Sequence, residues 1–202
     1  MRGARLVKPL IVAASLGPLV WLSLGAWQGS LGANPIETIT RSTGLWTLRF
    51  MLITLAVTPL RRLTGWNGII RVRRMLGLFA FFYGSLHLIT YVWLDQFFDW
   101  AAIGKDVVKR PFITAGFSAY VLLVPLALTS TAGMIRRLGG RAWRRLHRLA
   151  YAAAALGVVH YWWLVKLDTR PPGAYALLLA ALLAVRLIAW RRSPRRTAAA
   201  PR

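Results

Sequence analysis

The 202-residue chain contains no cysteine, and this absence removes several kinds of chemistry at once. There can be no disulfide framework, no cysteine-ligated zinc or iron–sulfur cluster, and no thioether-attached heme. Acidic residues are also scarce, because five Asp and Glu stand against 27 Lys and Arg. With three histidines in all, a metal held by side chains has few candidate ligands unless it arrives inside a cofactor.

The basic excess gives a formal charge of +22 at pH 7, which alone would suggest a surface for nucleic acid. The hydrophobic content argues otherwise, since 57% of the residues are apolar and 16% are charged. Soluble domains have about 45–50% apolar and about 25% charged residues. The charges stand in short blocks between long uncharged runs, so the sequence predicts an integral membrane protein and no nucleic-acid partner.

Six segments reach or approach the roughly 20 apolar residues that a helix needs to cross a bilayer. They predict an all-α membrane protein, a six-transmembrane-helix bundle that occupies residues 1–202 as a single domain and ends in a basic tail, 191–202. The second span contains Arg49, the fourth Pro125 and the sixth Arg186. The predicted spans are 9–27, 43–60, 75–94, 112–135, 143–165 and 172–190.

Basic residues are divided unequally between the two sides that these spans define. Nineteen Lys and Arg lie on the side that holds both termini, and six lie on the other side together with all five acidic residues. Because basic loops remain in the cytoplasm, both termini are predicted to be cytoplasmic. Insertion into the lipid bilayer thus accounts for the arginine excess.

Two of the three histidines are predicted to lie at one depth. His87 is thirteen residues beyond Arg74 in the third span, and His160 is twelve beyond Arg148 in the fifth. Both spans run outward, so each imidazole lies about 18–20 Å from the cytoplasmic boundary. Such a pair can ligate one heme iron axially between helices three and five, and the missing cysteine fits noncovalent heme b. The alternative is that each histidine only bonds a neighbouring helix.

His147 precedes His160 by thirteen residues, which places it about 19.5 Å nearer the cytoplasm. A second heme at that depth would need a ligand thirteen residues before His87, where Arg74 stands. His147 is therefore either a ligand of a second heme or an interfacial histidine in a basic loop.

Two arginines lie within the predicted spans. Arg49 lies near the depth of the histidine pair, where its charge could pair with a heme propionate, and the alternative is that it extends to the outer interface. Arg186 is four residues from the inner end of its span and is expected to extend to the cytoplasmic interface.

Several segments between residues 32 and 166, in order and with matching spacing, resemble the MsrQ (YedZ) family. This family comprises heme-binding membrane subunits of the periplasmic protein-methionine-sulfoxide reductase system. More distantly, the core is similar to the ferric-reductase and NADPH-oxidase transmembrane domain. The segments include LGANPIETITRSTG, LAVTPLRRL, RRMLGLFAFFYGSLHLITYVWLD, KRPFITAGF, PLALTSTAGM and WRRLHRLAYAAAALGVVHYWWLVK.

The resemblance implies heme b, FMN and a multi-pass location in the bacterial inner membrane. It also implies that electrons come from the quinone pool or a cytosolic flavin reductase and pass to MsrP, a periplasmic molybdenum-containing subunit that repairs oxidised periplasmic proteins. The chain has no G-x-G-x-x-G or P-loop motif and no residue set that resembles a catalytic site. An electron-transfer subunit is therefore favoured, and a self-contained ferric reductase or a non-redox, histidine-dependent transporter are the alternatives.

Overall fold

A computed structural model describes residues 3–191, with the backbone alone for residues 3–6. Over these residues the chain is helical and contains no strand. A 3-10 helix, Asn67–Arg71, precedes α3, and a π-helical segment, Thr90–Asp95, follows it. The α-helices are α1 Gly3–Trp27, α2 Pro35–Thr64, α3 Arg73–Ile89, α4 Trp100–Lys109, α5 Pro111–Leu128, α6 Ala132–Leu146, α7 Leu149–Leu164 and α8 Arg170–Arg191.

Five helical segments are long and apolar enough to cross a membrane, namely α1, α2, α3 with its π-helical extension, α5 and α8. α7 is apolar as well but has 16 residues, which gives a length of about 24 Å. The predicted all-α, multi-pass membrane fold is confirmed. The fifth of the six predicted spans corresponds to this shorter helix.

α2 begins eight residues before the predicted second span because the chain provides a helix N-terminus there. The Asn34 side chain accepts a hydrogen bond from the Glu37 backbone N–H at 3.2 Å, and Pro35 occupies the first turn. At the other end, Gly65 adopts the left-handed conformation (φ 69°) that ends the helix. The 30 residues of α2 extend about 45 Å, which exceeds the thickness of a bilayer core.

α2 is the central helix of the bundle, since it contacts more helices than any other and is the most buried candidate span. α2 packs along α3 and α5 packs along α7, while α2 also contacts α1, α7 and α8. Ala153 and Ala154 of α7 are fully buried, and their small side chains let neighbouring helices approach closely. Tyr83 of α3 is buried and donates to the Ser15 carbonyl of α1 at 2.7 Å.

The chain between α5 and α7 departs from the prediction. The predicted fourth span continues to residue 135, but α5 ends at Leu128. The Thr131 side chain then accepts from the Met134 N–H at 3.2 Å and caps a separate helix, α6. α6 is rich in arginine and bends at Gly139 (φ 74°), so it cannot continue an apolar span. The predicted start of the fifth span at residue 143 is also wrong, since α7 begins at Leu149.

The hydropathy pattern also missed α4, which lies between the third and fourth predicted spans. The Asp99 carboxylate accepts from the Ala102 N–H at 2.9 Å and caps this helix. Its ten residues mix apolar and charged side chains, so a search for long apolar runs passes over it. Apart from Arg191, the predicted basic tail at 191–202 lies outside the described residues.

Candidate functional site

The two histidines predicted to share a depth meet inside the bundle. The ring centroids of His87 on α3 and His160 on α7 lie 6.0 Å apart, and the ring planes are inclined by 73°. α3 packs along α2 and α7 packs along α5, so each imidazole has a different supporting helix.

Each imidazole is oriented by a backbone carbonyl of its supporting helix. His87 Nδ1 lies 2.8 Å from the Thr40 carbonyl oxygen of α2, and His160 Nδ1 lies 2.6 Å from the Phe112 carbonyl oxygen of α5. Because a carbonyl only accepts hydrogen bonds, each Nδ1 carries the proton and each Nε2 keeps its lone pair. Metal-ligating histidines have this arrangement, with the second ring nitrogen held by a neighbouring group.

A glycine lies against each imidazole, one helical turn beyond the carbonyl that accepts from it. In an α-helix the N–H of residue i+4 bonds the carbonyl of residue i, so a ring that reaches this carbonyl must pass close to residue i+4. Gly44 on α2 and Gly116 on α5 occupy these positions. A Cβ atom would lie 3.0 Å from the His87 ring at Gly44 and 2.7 Å from the His160 ring at Gly116.

The separation of the rings fits a single metal between two imidazoles. Bonds from a metal to a histidine nitrogen are about 2 Å, which puts two coaxial ring centres about 6 Å apart. No cluster of three His, Asp or Glu occurs in residues 3–191, so the protein offers two nitrogens here. A metal held by these two nitrogens would need its other ligands from the group that carries it, as in a porphyrin with two histidine ligands.

His147 lies in the turn between α6 and α7, and the prediction that it shares one helix with His160 is wrong. Its ring stacks on Trp143 with centroids 3.8 Å apart, and its Nδ1 donates to the Trp143 carbonyl at 3.1 Å. Its Nε2 lies 3.4 Å from Ser130 Oγ. Partial burial lowers the pKa of His147; the hydrogen bond to the Trp143 carbonyl opposes this shift, and the charge of Arg73 adds to it.

The residue of α3 whose charge acts on His147 is Arg73, which precedes Arg74, the position obtained by counting along the sequence. Fourteen residues are nearly four helical turns, so Arg73 lies on the same side of α3 as His87. Arg74 is exposed. Since the chain has three histidines and two of them face each other, no second imidazole faces His147.

Arg49 contacts α8. Its Nε donates to the Tyr175 hydroxyl at 3.0 Å, and its Cζ lies 4.7 Å from the centre of the Trp46 ring. The side chain is half-buried and borders a groove of about 350 Å³ between α2 and α8. Gly44, which contacts His87, lies five residues away on a different face of α2.

The expectation that Arg186 extends to the cytoplasmic interface is wrong. Its guanidinium turns into the bundle, where it donates to the Leu55 carbonyl at 2.6 Å and to the Tyr151 hydroxyl. Its Cζ lies 5.1 Å from the centre of the Tyr151 ring. Because Leu55 belongs to α2 and Tyr151 to α7, this side chain of α8 joins three helices. The only feature of the sequence that pointed to this bridging role was the presence of a charged residue, Arg186, within a predicted span.

The helical bundle and its paired imidazoles define a class of membrane protein. Residues 43–158 match the family described as "Ferric reductase like transmembrane component". The relatives named protein-methionine-sulfoxide reductase heme-binding subunit MsrQ include those of Herminiimonas arsenicoxydans and Rhodospirillum rubrum. Both are 56% identical to this chain. The match to the Herminiimonas arsenicoxydans protein covers 96% of this chain and 91% of that protein. The match to the Rhodospirillum rubrum protein covers 91% of this chain and 88% of that protein. The chain belongs to the MsrQ family.

Proposed function

We propose that this chain is a membrane electron-transfer subunit that holds heme b between α3 and α7. His87 and His160 would supply the two axial nitrogens, and the heme would supply one-electron redox chemistry. The observation that carries the proposal is the pair of imidazoles 6.0 Å apart, each fixed through Nδ1. The names of the relatives, which describe a heme-binding subunit, support the same cofactor.

We infer the route of the electrons from membership of the family. The donor would be the quinone pool or a cytosolic flavin reductase, FMN would take part, and the acceptor would be the periplasmic subunit MsrP. The chain itself would have no catalytic site for methionine sulfoxide. With both termini in the cytoplasm, the histidine pair lies in the outer half of the inner membrane, which favours delivery of electrons to the periplasmic side.

The contribution of the protein would be to hold both ligands in place. Each Nδ1–H donates to a carbonyl of a helix, whose own backbone is held by hydrogen bonds within the helix, and such a partner fixes the orientation of a ligating imidazole. The geometry of the two ligands should therefore change little between the oxidised and the reduced state.

The function is tested by quantifying heme and flavin in the purified protein and then following electron flow. We expect an intense Soret band, at least one heme b per polypeptide by pyridine hemochrome, and reoxidation of the reduced heme by MsrP with methionine sulfoxide. Equally fast reduction of ferric chelates by the protein alone would identify a self-contained ferric reductase. Absence of heme would favour a histidine-dependent transporter.

His147→Ala is expected to leave at least one heme with an unchanged low-spin spectrum, because no imidazole faces His147. Hemochrome quantification and electron paramagnetic resonance (EPR) on the same sample measure this. Loss of half of the heme would identify His147 as a ligand of a second heme. Loss of all of the heme would show that His87 and His160 are not the principal pair.

Arg49→Gln is expected to lower the heme midpoint potential by tens of millivolts and to weaken heme retention. A nearby positive charge, paired with a propionate, favours the more electron-rich ferrous form. A shift of about 60 mV corresponds to about 1.4 kcal/mol for a one-electron couple. The measurement is a spectroscopic redox titration.

Two variants separate charge from position in this titration. Arg49→Lys retains the charge and should largely restore the potential. Tyr175→Phe removes the hydroxyl that accepts from Arg49 Nε but keeps the charge, so it should shift the potential less than Arg49→Gln. Identical titrations for wild type and Arg49→Gln would reduce Arg49 to a contact between α2 and α8.

A further inference from the structure

The side chains of α6 are divided by chemistry between exposed and half-buried positions. Its arginines are all exposed, whereas its large apolar side chains are half-buried, apart from Leu138, which is 37% exposed. Met134 and Ile135 lie four and three residues before Leu138, so the three form one apolar stripe along the helix. The arginines are Arg136, Arg137, Arg141, Arg144 and Arg145, and the large apolar side chains are Met134, Ile135, Leu138, Trp143 and Leu146.

Trp143 holds α6 at the end of a membrane helix. Its indole N–H donates to the carbonyl of Thr129, the residue that follows α5, at 2.9 Å. The ring of His147, just before α7, stacks on the same indole. Tryptophan is enriched where the membrane meets water, because its ring is apolar and its N–H is polar. The two arginines that follow Trp143 in the sequence therefore lie near the level of the lipid headgroups.

No carboxylate of the chain neutralises these arginines. The sequence contains no Asp or Glu from residue 107 to residue 167. Within residues 3–191, ion pairs join Glu37 to Arg41 and Asp106 to Arg110, in segments predicted to lie on the opposite side of the membrane. The positive charges of α6 are thus left to attract anions from outside the chain.

In the orientation on which the proposed function rests, α6 is on the cytoplasmic side. We propose that α6 lies along this surface of the membrane and binds the phosphates of anionic phospholipids through its exposed arginines. Basic amphipathic helices with tryptophan and leucine opposite the charges bind membranes in this way. Guanidinium groups donate forked N–H bonds to phosphate oxygens. An acidic protein would match the charge of α6, but a lipid surface also covers the exposed Leu138.

The first test is native mass spectrometry of the heme-loaded protein titrated with phosphatidylglycerol, with zwitterionic phosphatidylcholine as the comparison lipid. We expect Arg144→Gln combined with Arg145→Gln to weaken phosphatidylglycerol binding about 30-fold, which is about 1 kcal/mol for each basic residue at a membrane surface. Lys105→Gln combined with Lys109→Gln is the matched control. It removes two exposed charges from α4, which carries the carboxylate of Asp106, and it should bind the lipid as wild type does.

Three outcomes of this titration would overturn the proposal. Equal weakening by the two double variants would indicate diffuse attraction to the net positive charge. Equal affinity of the wild type for the two lipids would exclude recognition of the anionic headgroup. Displacement of phosphatidylglycerol by millimolar inorganic phosphate would assign the arginines to free phosphate. Because heme is quantified in the same samples, failure of this surface is distinguishable from failure of the proposed heme pair.

The second test measures the depth of α6 by spin labelling in vesicles of phosphatidylglycerol and phosphatidylcholine. The chain contains no cysteine, so Leu138→Cys and Arg137→Cys each introduce a single site for a nitroxide label. The label at position 138 should collide mainly with oxygen, which concentrates among acyl chains, and the label at position 137 mainly with a water-soluble nickel chelate. Collision of both labels with the chelate alone would show that α6 projects into the cytoplasm, and would overturn the proposal in favour of an acidic protein partner.

Discussion

Either His87→Ala or His160→Ala is expected to abolish the low-spin heme spectrum of the purified protein. Each side chain would supply one of the two axial nitrogens, and the third histidine lies outside this pair, in the turn between α6 and α7, stacked on Trp143. A heme that keeps one axial nitrogen becomes high-spin or dissociates. Low-temperature EPR and hemochrome quantification distinguish these two results.

Thr40→Ala is a matched control for His87→Ala. It alters a half-buried side chain whose buried hydroxyl has no hydrogen-bond partner in the described chain, and it keeps the carbonyl that accepts from His87. This variant should retain the low-spin spectrum. Full retention of the spectrum in His87→Ala or in His160→Ala would contradict the pairing of the two histidines around one iron.

Gly116→Ala is expected to remove most of the low-spin signal, although it adds a single methyl carbon. The new Cβ would lie 2.7 Å from His160 Nδ1, closer than side-chain atoms approach one another. Either the imidazole or the α5 backbone must move, and the hydrogen bond to the Phe112 carbonyl is lost or bent. Alanine favours a helix over glycine by about 1 kcal/mol, so weaker helix formation would not explain the loss.

Two other glycines give a graded comparison for this prediction. Gly44→Ala would place its Cβ 3.0 Å from the His87 ring and should perturb the spectrum less than Gly116→Ala. Gly157→Ala, on the same helix as His160, would meet Leu48 Cδ1 at an ordinary 3.6 Å and should leave the spectrum intact. Thermal unfolding measured alongside EPR separates loss of the fold from loss of ligation. Identical spectra for all three variants would contradict a positioning role for Gly116.

The all-helical membrane fold and the meeting of His87 with His160 could be predicted from the sequence. A helix rises by a fixed distance per residue, so the basic residue at the membrane boundary sets the depth of each histidine. Depth needs no knowledge of how the helices are rotated or of which helix lies beside which. The same reasoning could not identify Gly44 and Gly116, because their role depends on which faces of α2 and α5 meet the imidazoles.

The structure departs from the predictions where helix boundaries and side-chain directions depend on local backbone geometry and on contacts with distant residues. A turn interrupts the helix between α6 and α7. His147 and His160 therefore do not lie on one continuous helix, and their separation cannot be calculated from a rise of thirteen helical residues. The turn of Arg186 into the bundle depends on the Leu55 carbonyl and the Tyr151 hydroxyl, which belong to distant parts of the chain. Hydropathy records that a charge lies in a span, but it does not record which neighbours can accept its hydrogen bonds.

The pairing of α2 with α3 and of α5 with α7 has a consequence for how the protein matures in the cell. Each pair can form as its helices leave the translocon, before the other pair is complete. A heme held between α3 and α7, as proposed above, would then fasten one half of the bundle to the other after synthesis. Heme supply would in that way control the last assembly step, and a chain made during heme shortage would have only the direct α2–α7 and α3–α5 contacts to join its two halves.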